Sequence, residues 1–455
     1  MHWLLKQKNF IPIRLSPASI MIWGFVAIIL LGTVLLKLPI AVRHGVHVSL
    51  LAALFTAVSA TCVTGLTVVD TLTTWSIFGR IVIMCLVQIG GLGFMSVTTI
   101  FFFVINSKIG LSQRLLIMQS LSLKDIQGVV QLIRHILFGT FIFQSIGTLF
   151  LWVCFYHDYG IWKGLGMGVF HSIAAFSNAG FDIISPSETF PSFSIYSGNL
   201  MMMLTLVFLV IMGGLGFFVW EDIWRNRKFQ KLHLHSKMVL TVSCILLLGG
   251  GFCFFWGEQN NPDTIGNLPF LQQVTMSLFQ SAMTRSSGLS MINQAFFSKA
   301  SQMLSMLLMF IGGSAGSTGG GIKNVTAAII FLSALRSLRG KKTLSVFGNT
   351  IPDQQIISAL SIFIFALTAC FIASILIFYF QPKLPFWEVI FEVISATATC
   401  GLSLGITPCL SPESMIVIIF LMFLGRVGII TFGMAAFFRR HQREKTKYPD
   451  TWVMM

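Results

Sequence analysis

Of the 455 residues, 55% are hydrophobic and only 10% charged, well below the roughly 25% charged residues of an ordinary soluble domain, which excludes a soluble globular fold. Thirty Lys and Arg stand against 15 Asp and Glu, a formal charge of +15. Nucleic-acid binding needs a water-exposed basic face that such a chain lacks, so lipid headgroups and the bias of basic residues toward the cytoplasm account better for the excess.

The basic stretch 1–17 precedes an apolar run, Ile20 to Leu36. No small-x-small cleavage site follows it, so it reads as a retained membrane helix rather than a signal peptide. Seven further runs are long enough to cross a bilayer: Ile81 to Ile105, Ile136 to Tyr156, Leu200 to Trp220, Met238 to Trp256, Gln302 to Leu335, Ile356 to Phe380 and Met415 to Phe438. Between successive pairs lie shorter apolar stretches, Leu50 to Ala60, Gly164 to Phe176, Pro269 to Met283 and Leu384 to Ala396, each suited to a re-entrant half-helix. The eight cysteines (62, 85, 154, 244, 253, 370, 400 and 409) form no CxxC pair and read as small apolar residues.

Each short stretch ends in a small, polar segment closed by glycine: Thr61-Cys62-Val63-Thr64-Gly65, Phe176-Ser177-Asn178-Ala179-Gly180, Thr284-Arg285-Ser286-Ser287-Gly288 and Thr397-Ala398-Thr399-Cys400-Gly401. The four glycines are 115, 108 and 113 residues apart, and Phe55, Phe170, Leu278 or Phe391 stands ten residues before each. A second glycine cluster follows each in phase, at Gly90-Gly91-Leu-Gly93, Gly213-Gly214-Leu-Gly216, Gly312-Gly313-Ser-Ala-Gly316 and Gly425-Arg426-Val-Gly428. Two landmarks recurring together define a fourfold internal repeat. The expected fold is all-α and integral to the membrane: four membrane-pore-membrane repeats, eight transmembrane helices and four re-entrant helices, around one pore. Repeats are placed at 20–107, 134–226, 236–338 and 354–438, between termini 1–19 and 439–455.

Basic residues orient this arrangement. Lys6, Lys8, Arg14, Lys108, Arg114, Lys124, Arg134, Arg225, Arg227, Lys228, Lys231, Lys237, Arg336, Arg339, Lys341, Lys342, Arg439, Arg440, Arg443, Lys445 and Lys447 all fall in one set of connections. That side is therefore cytoplasmic and holds both termini, and the half-helices enter from outside.

Non-helical backbone at membrane depth must be satisfied by protein or water, so the four loops converge on one axis. Convergent backbone carbonyls replace the hydration shell of a monovalent cation, and potassium at this filter is the only metal expected. Half-helix carbonyl ends favour a cation at the centre. Asp70, Asp158, Asp182, Glu188, Asp263 and Glu413 are candidate attracting charges at the outer mouth. A lipid-modifying enzyme would need a cluster of His, Asp or Glu with catalytic spacing, and no HxxxD, DDxxD or HExxH occurs, so no catalytic residue is assigned.

With these motifs the chain resembles the membrane subunit of the Ktr branch of the Trk/Ktr/HKT potassium transporter superfamily. The resemblance covers essentially the whole chain, and the short segment before the first span favours Ktr over Trk. It implies potassium uptake across a bacterial plasma membrane by a homodimer docked on a cytosolic ring of nucleotide-binding regulatory subunits, with no cofactor in this chain and sodium as a candidate activator. The third loop (Ser286-Ser-Gly288-Leu) and Cys400 before Gly401 depart from the usual family pattern. These departures leave a sodium-permeable or weakly selective transporter as the alternative, although Gly65 argues against the sodium preference that a serine at this position accompanies in plant relatives.

The run Gly312, Gly313, Ser314, Gly316, Ser317, Thr318, Gly319, Gly320 and Gly321 cannot stay helical at roughly 1 kcal/mol per glycine. The resemblance makes it an intramembrane gate below the filter. Arg426 stands where the other repeats have Gly91, Gly214 and Gly313. It is expected to donate hydrogen bonds to the gate's carbonyls, with Lys323 as a second donor, and only the third repeat is expected to be broken at this level. Arg285 should point away from the axis, paired with Glu392 behind the filter, and His171 should be a packing residue.

Overall fold

The computed structural model describes residues 17–93, 129–184 and 192–428. Positions 1–16, 94–128, 185–191 and 429–455 lie outside it, and with them Glu188, most of the connection between the first and second repeats, the ends of the runs Ile81 to Ile105 and Met415 to Phe438, and the C-terminal basic cluster.

Each repeat opens on an outer helix: Pro17–Lys37, the first part of Val129–Ser177, Leu234–Glu258 and Asp353–Phe380. These stretches are long and apolar enough to cross a membrane, with only 22–33% of their apolar windows buried. Their exposed faces carry residues such as Leu30, Phe141, Phe252 and Phe371, while Ser, Thr, Asn and Gln fill much of the interior. Water would not tolerate that distribution; lipid requires it.

A half-helix follows in each repeat. Three are Leu50–Thr61, Phe270–Met283 and Phe386–Thr397. The fourth is the end of Val129–Ser177, where helical geometry breaks at Gly160 (φ 74°, ψ −179°) and the chain turns back. The inner helices are Ile77–Leu92, Leu200–Leu215, Lys299–Phe310 and Pro412–Val427. Ser76, Asn199, Ser298 and Ser411 cap them, each accepting the backbone N–H three residues on, which satisfies donors that a helix start leaves unpaired.

The inner runs are not the uninterrupted spans the apolar pattern suggests. Among the described residues four helices have the length and composition to cross a membrane, or five if one bent pair is a single span. The first, second and fourth inner helices end at Gly93, Gly216 and Gly428, with φ of 82°, 96° and 90°. A left-handed backbone cannot continue a right-handed helix. After Gly216 the chain resumes as Phe217–Asn226, bent by 92°. The third inner helix ends at Phe310 and resumes at Asn324–Leu338. The expectation that only the third repeat is broken is therefore corrected among the described residues: the second inner run also breaks, at Gly216, and differs from the third in having no insert between its halves.

One element departs from the all-α expectation. Leu344–Val346 and Asn349–Ile351 pair as an antiparallel hairpin. Its two-residue turn has both φ values positive, Phe347 at 48° and Gly348 at 77°, as a type I′ turn requires. Leu344 and Ile351 pack with Met238 and Ile356, fastening the hairpin to the outer helices of the third and fourth repeats.

Candidate ion pathway

Val63, Asn178, Ser286 and Thr399 have φ of 57°, 59°, 74° and 48°. Each stands two residues before its loop glycine, so four segments of different sequence share one unusual backbone. Such a conformation costs about 1–3 kcal/mol per non-glycine residue and persists only where the surroundings impose it. The half-helix ends impose it here. In the first loop Thr64 N–H donates to Ser59 O (2.8 Å) and Gly65 N–H to Ser59 Oγ (3.1 Å). The fourth repeats this with Cys400 N–H on Ser395 O (2.9 Å) and Gly401 N–H on Ser395 Oγ (3.1 Å). In the second, Ala179 N–H donates to Ala174 O (2.8 Å).

The third loop is wound differently, with both Ser287 and Gly288 N–H on Met283 O (3.1 and 3.2 Å). The Cys400 thiol of the fourth loop faces its Thr284 carbonyl at 3.3 Å. Cys400, one departure from the family pattern, therefore touches the loop that carries the other.

The four glycines close a ring in chain order. A side-chain carbon on Gly65 would stand 2.5 Å from Gly180 Cα, and one on Gly180 would stand 3.1 Å from Ser287 O. One on Gly288 would collide with the Cys400 carbonyl, and one on Gly401 with the Thr64 carbonyl of the first loop. Glycine is thus required by the approach of neighbouring loops as well as by backbone angle. On one side of the ring lies an open vestibule of about 310 Å³, lined by all four glycines, Asp182, Ser403 and Thr407 among others. Among the described acidic residues considered for the outer mouth, Asp182 is the one that lines it. Asp70 instead caps a helical turn through Thr73 N–H (2.6 Å), and Asp158 accepts from the Tyr196 hydroxyl (2.6 Å).

The other side of the ring meets the inner helices. Gly90, Gly213 and Gly425 press their bare Cα against the carbonyls of Thr61, Phe176 and Thr397, the first residue of three loops. In the third repeat Gly312 instead meets Gly320 of its own insert. That insert satisfies carbonyls exposed by the end of the second inner helix. Thr318 and Ser314 N–H donate to Gly213 O and Gly214 O (3.1 and 3.0 Å), and the Ser314 hydroxyl donates to Leu215 O. The insert folds back on itself through Gly312 N–H on Ile322 O (2.8 Å) and Asn324 N–H on Gly313 O (3.1 Å). Ser317 Oγ on Ser314 O (2.7 Å) and Lys323 Nζ on Gly319 O (2.7 Å) close it further.

Arg426 is half-buried among three acceptors. One Nη donates to Thr318 O of the insert; the other donates to Gly90 O and, at 3.2 Å, to Gly91 O. The last two belong to the final turn of Ile77–Leu92, where a cation also meets the negative end of the helix dipole. A planar, multi-donor head suits this bridging in a way an ammonium does not.

Arg285 turns outward, giving both Nη atoms to Ser243 O and Oγ at 3.2 Å. Glu392 accepts from the Thr407 hydroxyl. The expected Arg285–Glu392 pair is thus not formed: each is drawn to the hydroxyl its own element faces. His171 is buried, its Nδ1 2.9 Å from Met167 O and its Nε2 accepting Ile183 N–H at 3.2 Å, so both ring nitrogens are engaged in packing. Ser243, Asn324, Thr407 and the loop-bracing pair Ser59 and Ser395 escaped the sequence reading. Only the last pair carried a signal there, a serine six residues before the loop glycine in two repeats.

Residues 2–446 match the family model described as TrkH, cation transport protein. The chain is 37% identical to the potassium/sodium uptake protein NtpJ of Enterococcus hirae over 453 residues, 99% of both chains. It is 36% identical to the Ktr system potassium uptake protein B of Bacillus subtilis over 449 residues, 98% of both. In fold it resembles the crystal structure of the potassium transporter TrkH from Vibrio parahaemolyticus, with a TM-score of 0.70 at 17% identity, covering 91% of this chain and 84% of that one. The chain belongs to the TrkH family of cation transport proteins, among its Ktr-type potassium uptake members, and is a multi-pass membrane transporter rather than an enzyme.

Proposed function

We propose that the chain takes up potassium through a carbonyl-lined filter at the glycine ring. The observation that carries this reading is the closure of Gly65, Gly180, Gly288 and Gly401 into one ring open to a vestibule. Buried hydroxyls of Thr61, Thr64, Ser287 and Thr399 stand in these loops without a hydrogen-bond partner. Unpaired buried oxygens at a convergence of loops suit a dehydrated monovalent cation. The vestibule faces outward and both termini face the cytoplasm, as the basic residues indicate.

The insert Gly312–Gly321 is the gate and Arg426 its latch. Support comes from the insert's place on the side of the ring away from the vestibule and from Arg426 joining it to the first inner helix. A homodimer on a separate cytosolic ring of nucleotide-binding subunits supplies the control. The basic cytoplasmic connections are its docking surface, and sodium is a candidate activator.

Potassium, rubidium and sodium fluxes in liposomes, with and without Gly65→Ser, test the filter. The serine should lower the potassium-to-sodium ratio, and an unchanged ratio would remove the ring from the permeation path. A weakly selective or sodium-permeable transporter is the second reading. It is favoured by the different winding of the third loop and its contact with Cys400.

A further inference from the structure

Thr318 is held from three directions. Its N–H donates to Gly213 O (3.1 Å) and its carbonyl accepts from Arg426. Both are backbone attachments that any residue would make. The third is made by the side chain: the hydroxyl donates to the Phe176 carbonyl at 3.1 Å, with the Asn178 amide 3.2 Å away. Phe176 opens the second filter loop and Asn178 is its left-handed residue. The Phe176 carbonyl abuts the bare Cα of Gly213 just as those of Thr61 and Thr397 abut Gly90 and Gly425, and the Thr318 hydroxyl is added to it. The gate also meets the left-handed residues of two further loops. Ser286 Oγ lies 3.5 Å from Gly320 O, and Thr399 Oγ1 occupies the space that a side chain on Gly320 would need.

We infer that Thr318 is a specificity-positioning residue: its hydroxyl holds the second filter loop in shape while the gate is seated, so gate position and cation preference are coupled. The inference rests on the reading of the ring as a filter and of the insert as a gate. When the insert leaves, its backbone attachments to the inner helices are lost, and with them the Thr318 hydroxyl's bond to the Phe176 carbonyl. A coupling of this kind is reciprocal. A cation that stabilises the formed filter favours the seated gate, and loss of the hydroxyl weakens discrimination whether or not the gate moves.

The test measures potassium and sodium binding to the purified full-length protein in detergent, by cation-dependent thermal stabilisation, alongside rubidium uptake in cells. Thr318→Val keeps volume and backbone but removes the hydroxyl, and Thr318→Ser restores it. A neutral hydrogen bond of ordinary strength corresponds to roughly a two- to tenfold change. The valine variant should lose about that much potassium-over-sodium preference, and the serine variant should stay near the parent. Thr318→Cys, a weak donor, takes the place of valine if the latter does not insert, and the same loss is expected of it. If valine or cysteine alters uptake with the binding ratio unchanged, the hydroxyl only latches the gate and the inference is overturned. Gly65→Ser is the control for the underlying reading. If that variant too leaves the ratio unmoved, the filter assignment has failed rather than the coupling.

Discussion

Arg426→Ala offers the most direct test of the proposed gate. The guanidinium has three carbonyl acceptors, of which only Thr318 O belongs to the insert; Gly90 O and Gly91 O belong to the first inner helix. Only the first contact is lost when the insert leaves, so only it weights the closed state. A hydrogen bond from a charged donor contributes about 1.5–3 kcal/mol, which corresponds to a shift of roughly tenfold to a hundredfold toward the open state. The other two bonds are made in both states, and their loss lowers stability without moving the gate. Arg426→Lys separates the two effects. One ammonium cannot bridge Thr318 O and the helix end as the planar fork does, so lysine should give a smaller rise in uptake with better recovery of protein. The assay is rubidium uptake in cells lacking their own potassium uptake, normalised to the amount of protein in the membrane. An alanine variant that inserts well yet takes up no more rubidium than the parent would show that Arg426 is a structural cap of the first inner helix and not a latch.

Shortening the insert between Gly316 and Gly319 should raise rubidium uptake and reduce its dependence on the proposed cytosolic subunit; a well-inserted deletion that conducts at the parental rate places the gate elsewhere. Gly401→Ala drives a methyl group into the Thr64 carbonyl and should abolish potassium uptake while the protein still reaches the membrane, a result checked by flux alongside an immunoblot. Arg285→Met should leave the potassium-to-sodium permeability ratio in liposomes unchanged, because the guanidinium is bound to Ser243 on the outer helix; a changed ratio would put that charge in the ion path.

Much of this architecture could be read before any coordinates, because its determinants are local and repeated. Apolar runs of membrane length, the glycine at the end of each half-helix and the second glycine cluster behind it each follow from what a lipid environment and a tight turn demand of nearby residues. Their recurrence in phase marks the four segments whose glycines approach one another in the structure. The break at Gly312–Gly321 was equally local, since no stretch with so many glycines remains helical. The single arginine at a glycine position of the repeat was visible for the same reason.

What the tertiary structure decided are the contacts between segments a hundred or more residues apart. The loop glycines turn out to be required by their neighbours: Gly401 of the fourth loop has no room for a side chain because the Thr64 carbonyl of the first is there. The inner helices stop at Gly93, Gly216 and Gly428 as well as at Phe310, which apolar periodicity could not reveal because hydropathy is blind to φ. Arg285 and Glu392 were candidates for a pair by charge and repeat position, yet each found a hydroxyl nearer its own element. Thr318 was named only as one member of the glycine-rich run, with nothing to set its hydroxyl apart from the neighbouring serines. It acquires its role only where the ends of the second and fourth inner helices and the second loop meet around it. Side-chain hydrogen bonds depend on position to a few tenths of an ångström, and that information resides in the packing of the whole chain.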